Sequence, residues 1–465
     1  MSSAHGEFKR AVRPITRDFA HRRWMQNALR GYEQVRAGTQ ARFGDWEAAR
    51  RAAAGIKWQA IEQLDTLLEQ FASNLEARGT KVCWAKSDAE ARAYILDVVR
   101  AHNARTIVKS KCMTSEEIHL NELLEGEGFD VVESDLGEFI VQLRKEPPYH
   151  FVFPAMHLKR DEISRVFQDK LGAEPTDDPE ELTMIARRVL RQKYIEADIG
   201  FTGANFGVAE TGMVSITENE GNVRLTTALP KVHIALMGIE KVLPRMEDLA
   251  LFLPMLATGG TGQALTCYNS LIGGPQQPGE PDGPDEFHVV LLDNRRTQLL
   301  ADSVQRDALR CMRCGACLNL CPVFKNIGGH SYGTTYQGPI GSVITPHLRG
   351  LREYKHLSYA SSLCGACTET CPVKIDLHHH LLRSRRDAVC AHPVWGQRSL
   401  FRLFAFMMRR PALYRAAGKI GRPLLWLSRP VQGTWLDPLR AWRRTRTLPM
   451  PAKQTFKDYW KTRRR

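Results

Sequence analysis

Seven of the eleven cysteines fall between positions 311 and 371. The first group reads Cys311-Met-Arg-Cys314-Gly-Ala-Cys317-Leu-Asn-Leu-Cys321-Pro322, and the second reads Cys364-Gly-Ala-Cys367-Thr-Glu-Thr-Cys371-Pro372. The spacing C-x2-C-x2-C-x3-C-P suits a loop that wraps three thiolates round one iron–sulfur cube and sends the fourth to a neighbouring cluster. Small Gly and Ala residues let the backbone approach the sulfides and donate N–H bonds, and the proline turns the chain away. By that exchange Cys311, Cys314, Cys317 and Cys371 hold one cluster, while Cys364, Cys367 and Cys321 serve a second. Cys-Gly-Ala-Cys and Cys-Pro-Val recur 50 residues apart, so the two groups form an internal repeat. The repeat places Ser361 where the first group has Cys311. The second cluster is therefore short of one thiolate. It is either [3Fe–4S], or [4Fe–4S] with a non-cysteine fourth ligand for which Ser361 is the candidate by alignment. Zinc also binds C-x2-C pairs, but the long run with its proline speaks against it.

Other residues offer weaker chemistry. Cys83, Cys112, Cys267 and Cys390 stand alone and are read as buried small hydrophobes. Glu210, Glu218, Glu220, Arg224, His233, Glu240 and Lys241 concentrate charge in a stretch of strands and tight turns. They are either structural ion pairs or the lining of a small-acid or nucleotide pocket at a sheet's carboxyl edge, with Arg224 clamping a carboxylate. Transferase chemistry there would need a carboxylate nucleophile, Glu210 or Glu218. Gly259-Gly-Thr-Gly262 is a turn or a phosphate cradle, with the turn favoured because no Lys-Ser/Thr ending follows. His330 either tunes a cluster through a sulfide or simply packs. His378-His-His380 is read as a solvated helix face, since consecutive helical residues point apart.

The elements that must position these residues follow from periodicity. Residues 1–80 are helical, with an amphipathic helix over 46–75. Residues 81–300 alternate short apolar runs with helical patterns. Strands are expected at 81–84, 106–109, 130–133, 149–153, 204–209, 213–217, 233–237 and 287–292, and helices at 89–101, 115–127 and 160–171. This rhythm predicts a mainly parallel sheet with helices on its faces. Residues 301–390 carry the clusters. The 42 residues between Cys321 and Cys364 and helices over 354–362 and 377–391 favour a helical ferredoxin-like domain. Residues 391–465 interleave arginines with Trp395, Phe401, Phe404, Phe406, Tyr414, Trp426, Trp435 and Trp442.

Composition bounds the function. With 43% hydrophobic and 25% charged residues over 465 positions, the chain is globular rather than disordered or fibrous. The net charge of +14 is uneven: residues 381–465 hold 21 Lys and Arg against 3 Asp and Glu, and the rest of the chain has a net charge of −4. A strongly basic tail follows a near-neutral body. The tail is read first as a general docking surface for an acidic partner. Amphipathic helices on the inner face of a membrane are the second reading, and no nucleic acid is expected. The first 23 residues lack the apolar core of a leader peptide, which predicts a cytoplasmic protein with reduced cysteines. No G-x-G-x-x-G fingerprint follows a strand, so a flavin or nicotinamide partner is expected on another chain.

The chain resembles the lactate utilization protein B (LutB) family of iron–sulfur proteins. The resemblance rests on Gly200-Phe-Thr-Gly-Ala-Asn-Phe-Gly-Val-Ala-Glu-Thr-Gly212, Glu218-Asn-Glu-Gly221, Arg224, Leu229-Pro-Lys-Val-His233 and Gly238-Ile-Glu-Lys-Val242. It continues through the cysteine runs and, between them, Gly328-Gly-His-Ser-Tyr-Gly333 and Gly338-Pro-Ile-Gly341. It implies an α/β "LUD" domain over 81–300, similar in fold to sugar-phosphate isomerases and CoA-transferases. A helical region over 1–80, a two-cluster ferredoxin-like domain over 301–390 and a basic helical region over 391–465 complete the chain. The resemblance further implies two [4Fe–4S] clusters on the seven cysteines and electron transfer in the oxidation of L-lactate to pyruvate. LutA-like and LutC-like subunits are the implied partners. The alternative reading is an acyl- or CoA-transferase with structural clusters.

Overall fold

The computed structural model describes residues 3–393, 396–437, 439–443, 446–448, 452 and 454–463. It divides into two compact units, one running to Ala388 and the other from Val389. Ten strands occur among the described residues: β1 Lys81–Ala85, β2 Thr106–Lys109, β3 Asp130–Glu133, β4 Ile199–Gly203, β5 Phe206–Val208, β6 Met213–Glu218, β7 Val232–Gly238, β8 Val242–Leu243, β9 Tyr268–Ile272 and β10 Glu286–Leu292. Six form a parallel sheet in the order β1-β10-β7-β4-β2-β3. All seven residues of β7 are buried. A central strand covered on both faces reads as a continuous apolar run. Ile234 and Leu236 enter the core beneath the helix Asp88–Ala101, while Ala235 and Met237 pack on the opposite face with Phe71 and Leu75. Side chains capping helix N-termini set where the helices begin, as when Ser87 Oγ accepts from Glu90 N.

The α/β expectation holds, with four local corrections. The amphipathic stretch over 46–75 is two helices, Trp46–Glu62 and Leu64–Glu76, broken at Gln63. The break redirects the apolar stripe: Ala53 and Ile61 join the core around the cysteines, whereas Leu64, Leu67 and Phe71 cover the sheet. The helix expected over 115–127 is broken at His119, whose φ is +53°. Residues 149–153 are not a strand. Val152 N and Phe153 N donate to His150 Nδ1, at 2.9 and 3.3 Å, so a side chain takes the donors a sheet would use. The helix over 354–362 shrinks to the single turn His356–Tyr359. A second, mixed sheet, β8-β5-β6-β9, was not anticipated.

The cysteine region shares one core with elements distant in sequence. Met25 and Leu29 of the helix Phe19–Gln40, Phe252 and Met255 of the helix Leu249–Gly260, and Ile340 and Val343 of the helix Gly338–Arg349 pack with Cys314, Cys317, Leu318 and Cys371.

The second unit contains the helices Gln397–Met408, Pro411–Leu427 and Phe456–Arg463, none of which buries a residue. On Pro411–Leu427, Leu413, Ile420, Leu424 and Leu427 share one face, and Arg415, Lys419 and Arg422 lie on the other. Trp395 lies outside the described residues. No helix among the described residues is long and apolar enough to cross a membrane.

Candidate metal centre

Each cysteine group folds as the same short motif. Arg313 and Gly315 take positive φ, +60° and +85°, ahead of the helix Ala316–Leu320, and the extended Cys321 follows. Leu363 and Gly365, at +56° and +84°, precede the helix Ala366–Thr370 and the extended Cys371. The equivalence reaches the odd position. Arg313 N donates to Cys311 Sγ at 3.4 Å, and Leu363 N donates to Ser361 Oγ at 3.1 Å. Ser361 thus stands in the repeat as Cys311 does.

The structure brings all seven cysteines together in two sets. Burial raises the thiols of Cys314 and Cys317, and each is raised further by Cys311 and by its neighbours in the first set. Burial also lifts Cys371 to about 11, with Cys311 adding to it. In the second set burial lifts Cys367 to about 12, aided by Cys321 and Cys364. Cys317 also feels Cys367, so the sets adjoin. Backbone N–H groups reach the sulfurs: Phe324 N to Cys321 at 3.5 Å and Ile375 N to Cys371 at 3.3 Å. Crowded, buried sulfurs with amide donors aimed at them are what cationic iron bound through thiolates requires, since metal displaces the thiol protons. The donor set fits iron–sulfur clusters.

The two sites differ in their cover. A Cβ on Gly315 would lie 2.8 Å from Val152 and 3.1 Å from His150, whereas one on Gly365 would meet nothing within 4 Å. Cys314 is buried and its repeat partner Cys364 is exposed. His150 Nε2 donates to Asn319 Oδ1 at 3.1 Å, and Asn319 Nδ2 donates to Gly260 O at 3.1 Å. Burial drops His150 to about 3, so it stays neutral. The glycine run over 259–262 is not a phosphate cradle. It ends the helix Leu249–Gly260, and Cβ atoms on Gly259 and Gly260 would stand 3.1 Å from Cys314 Sγ and 2.9 Å from Cys314 O. These glycines let the helix end approach the cysteine loop.

A buried charged seam joins the parallel sheet to the first set. Arg296 bonds Glu117 at 2.8 and 2.9 Å and Glu240 at 2.6 Å. Arg313 bonds Glu240 at 3.1 Å, Tyr336 donates to Glu117 at 2.7 Å, and Lys57 donates to Glu240 O at 2.6 Å. Burial alone would raise Glu240, but Arg296, Arg313 and Lys241 hold it at about 2. Burial brings Lys57 down to about 8. The Arg313 guanidinium lies over Tyr336 at 4.8 Å, and its Nε and Nη1 have no partner. Sequence reasoning missed Lys57, Glu117, Arg296 and Arg313. Only Arg313, inside the cysteine run, carried a local signal.

The remaining candidates scatter. Glu218, Glu220 and Lys241 line a cavity of about 320 Å³. Glu218 accepts from Val223 N and Arg224 N, at 2.7 and 3.1 Å, and so caps a helix. Glu210 is exposed and accepts from Met246 N. Arg224 is no clamp, because it stacks over Tyr268 at 5.5 Å. His233 is buried within the sheet against Thr202 and Phe287. Glu240 belongs to the charged seam. His330 donates to Pro147 O at 2.8 Å and packs against Tyr149 and His157, so it reaches no cysteine. Of the three consecutive histidines His379 is exposed, but His380 is buried and pinned to Asp307 at 2.8 Å, which corrects the solvated reading. Cys267 and Cys390 are exposed rather than buried, one in the loop before β9 and the other in the last turn of the helix Leu377–Ala391.

Comparison with known proteins places these features in context. Residues 68–292 match the LUD domain, 307–375 the 4Fe-4S dicluster domain, and 391–465 the C-terminal domain of lactate utilisation protein B. Lactate utilization protein B of Bacillus velezensis is 45% identical over 90% of this chain and 89% of its own length. The protein of the same name from Bacillus licheniformis is 44% identical over 91% and 90%, and that from Oceanobacillus iheyensis 41% over 98% and 96%. Among solved structures, a DUF162 family protein from Deinococcus radiodurans aligns with 49% of this chain and 98% of its own at 14% identity and a TM-score of 0.29.

Proposed function

The chain belongs to the lactate utilization protein B family, and from that membership we propose that it is the iron–sulfur electron-transfer component of a cytoplasmic system oxidising L-lactate to pyruvate. The observation that carries the reading is the repeated cysteine motif, which sets two buried groups of sulfur ligands side by side within one core. Cys311, Cys314, Cys317 and Cys371 hold one [4Fe–4S] cluster. Cys321, Cys364 and Cys367 hold the other, with Ser361 supplying the fourth ligand. Bound clusters supply one-electron transfer, and the chain sets their environment through ligand identity, amide donors and burial. The exposed Cys364 loop is the side on which partner proteins of the LutA and LutC type exchange electrons, while the covered Cys314 loop faces the LUD domain. The basic, aromatic helices after Val389 dock the protein to an acidic partner or peripherally to an anionic membrane face.

The test is anaerobic iron and sulfide determination with EPR before and after adding lactate and the partner subunits. Two signals that appear together on reduction support the reading. Clusters that stay in one state throughout refute it. Ser361→Ala leaves the first cluster's signal unchanged and alters that of the second; a spectrum matching wild type removes Ser361 from the ligand set. Vesicles containing anionic lipid sediment the full chain, and a chain ending at Ala388 stays in the supernatant. Equal sedimentation of the two would exclude membrane docking by the tail.

A further inference from the structure

The parallel sheet has a topological switch point. From β2 the chain moves outward to β3, and from the adjacent β4 it moves the other way towards β7. Segments leaving the carboxyl ends of such neighbours diverge and open a crevice, which is where open α/β sheets take their ligands. Here the crevice is the cavity of about 320 Å³. Lys111 follows β2, Asp135 follows β3, Asn205 follows β4 and Lys241 follows β7. Glu220, in the turn after β6, closes one wall. Arg313 and Cys314 of the first cysteine run form part of the lining. Gly203 ends β4 without a side chain, where a Cβ would press to 3.1 Å from Cys112 Sγ.

The cations in this lining are incompletely used. Lys111 Nζ donates to Val152 O at 2.6 Å and stands 3.8 Å from Asp135. Lys241 Nζ donates to Ala204 O at 2.6 Å. Each ammonium keeps further donors, and Arg313 keeps Nε and Nη1. The carboxylate beside Arg313, Glu240, is already held by Arg296. Across the cavity, burial and the neighbouring Asp135 lift Glu220 to about 7, and its Oε2 accepts from Leu136 N at 3.0 Å. Three cations thus face Asp135, Glu218 and a Glu220 that carries a proton at neutral pH part of the time. The surplus is close to a single positive charge, which matches a monoanion better than a phosphate dianion.

We infer that this cavity binds a small hydroxylated monocarboxylate, its carboxylate held by Lys111, Lys241 and Arg313 and its hydroxyl at Glu220, against the loop that carries Cys314. Binding itself is independent of electron transfer. Only the placing of the ligand beside a redox centre rests on the function proposed above. A pocket of this size holds few atoms, so each charged contact accounts for a large share of the affinity.

The experiment is calorimetric titration of the full-length, anaerobically loaded protein with L-lactate, pyruvate and inorganic phosphate. The expected result is saturable, one-to-one binding of L-lactate that weakens at least about tenfold in Lys241→Met, a loss of about 1.4 kcal/mol. Glu220→Gln should weaken L-lactate more than pyruvate, which lacks the hydroxyl, and this second variant serves if Lys241→Met does not fold. Phosphate binding more tightly than either carboxylate would overturn the ligand class. No binding of any probe, or binding unchanged in both variants, would overturn the site. Calorimetry reads binding whether or not the clusters cycle, so failure here and failure of the electron-transfer reading are separable.

Discussion

Cys314→Ser strips about half of the iron and sulfide from anaerobically loaded protein and abolishes lactate-dependent reduction. The reason is the lack of any substitute ligand. Cys314 is buried, and its loop is pinned by Val152 and His150 above Gly315 and by the helix end at Gly259 and Gly260. A serine oxygen is shorter and harder than a thiolate, and the pinned loop cannot advance to compensate. The cluster held by Cys321, Cys364 and Cys367 should persist, so EPR of the variant retains one signal. Cys267→Ser is the control: that thiol is exposed and isolated, and its loss leaves the iron content unchanged. A Cys314→Ser protein with wild-type iron and spectrum would refute the ligand assignment.

Arg296→Met lowers the free energy of unfolding by about 3–5 kcal/mol, because removing one partner from a buried ion pair strands the other. Glu117 and Glu240 both depend on this guanidinium, and all three side chains are nearly sealed from solvent. Burial would raise both carboxyls, but Arg296 reverses the sign and holds them below their ordinary 4.5. The ionised seam therefore gives its full stabilisation above that value and loses it as pH falls, down to about 2 for Glu240. Without Arg296 the sign inverts for Glu117. Its carboxyl titrates above the ordinary range, and mild acidification stabilises the variant relative to neutral pH. Urea unfolding at neutral and mildly acidic pH reads both effects: wild type stays level or falls, and the variant rises. A variant as stable as wild type at neutral pH would mean that water reaches the seam.

The contrast between these substitutions marks what a sequence can convey. The cysteine motif was legible because its chemistry is local: spacing, glycine and proline all act within a few residues. The parallel strands were legible for a similar reason, since β7 and β10 are buried on both faces and read as unbroken apolar runs. The second sheet was not, because β5 and β8 are only three and two residues long and lean on partners for their conformation. The run over 149–153 had a strand's composition, but His150 supplies an acceptor that curls it into a turn. The charged seam was least legible. Glu117 and Arg296 lie 179 residues apart, and each alone looks like a surface charge. The clustered acids over 210–240 drew attention by their density, yet only Glu218 and Glu220 line the cavity.

The shared core also has a consequence for biosynthesis. Lys325 closes on Glu33, 292 residues earlier, and Met25 and Leu29 pack beside the loops of Cys314 and Cys317. Translation delivers the amino-terminal helices first and the final ligand, Cys371, near the end. The apolar face of Phe19–Gln40 is thus completed only when almost the whole polypeptide has emerged. Iron delivery must follow translation, and an open reading frame split near residue 301 would yield two fragments, each lacking a wall of the same chamber.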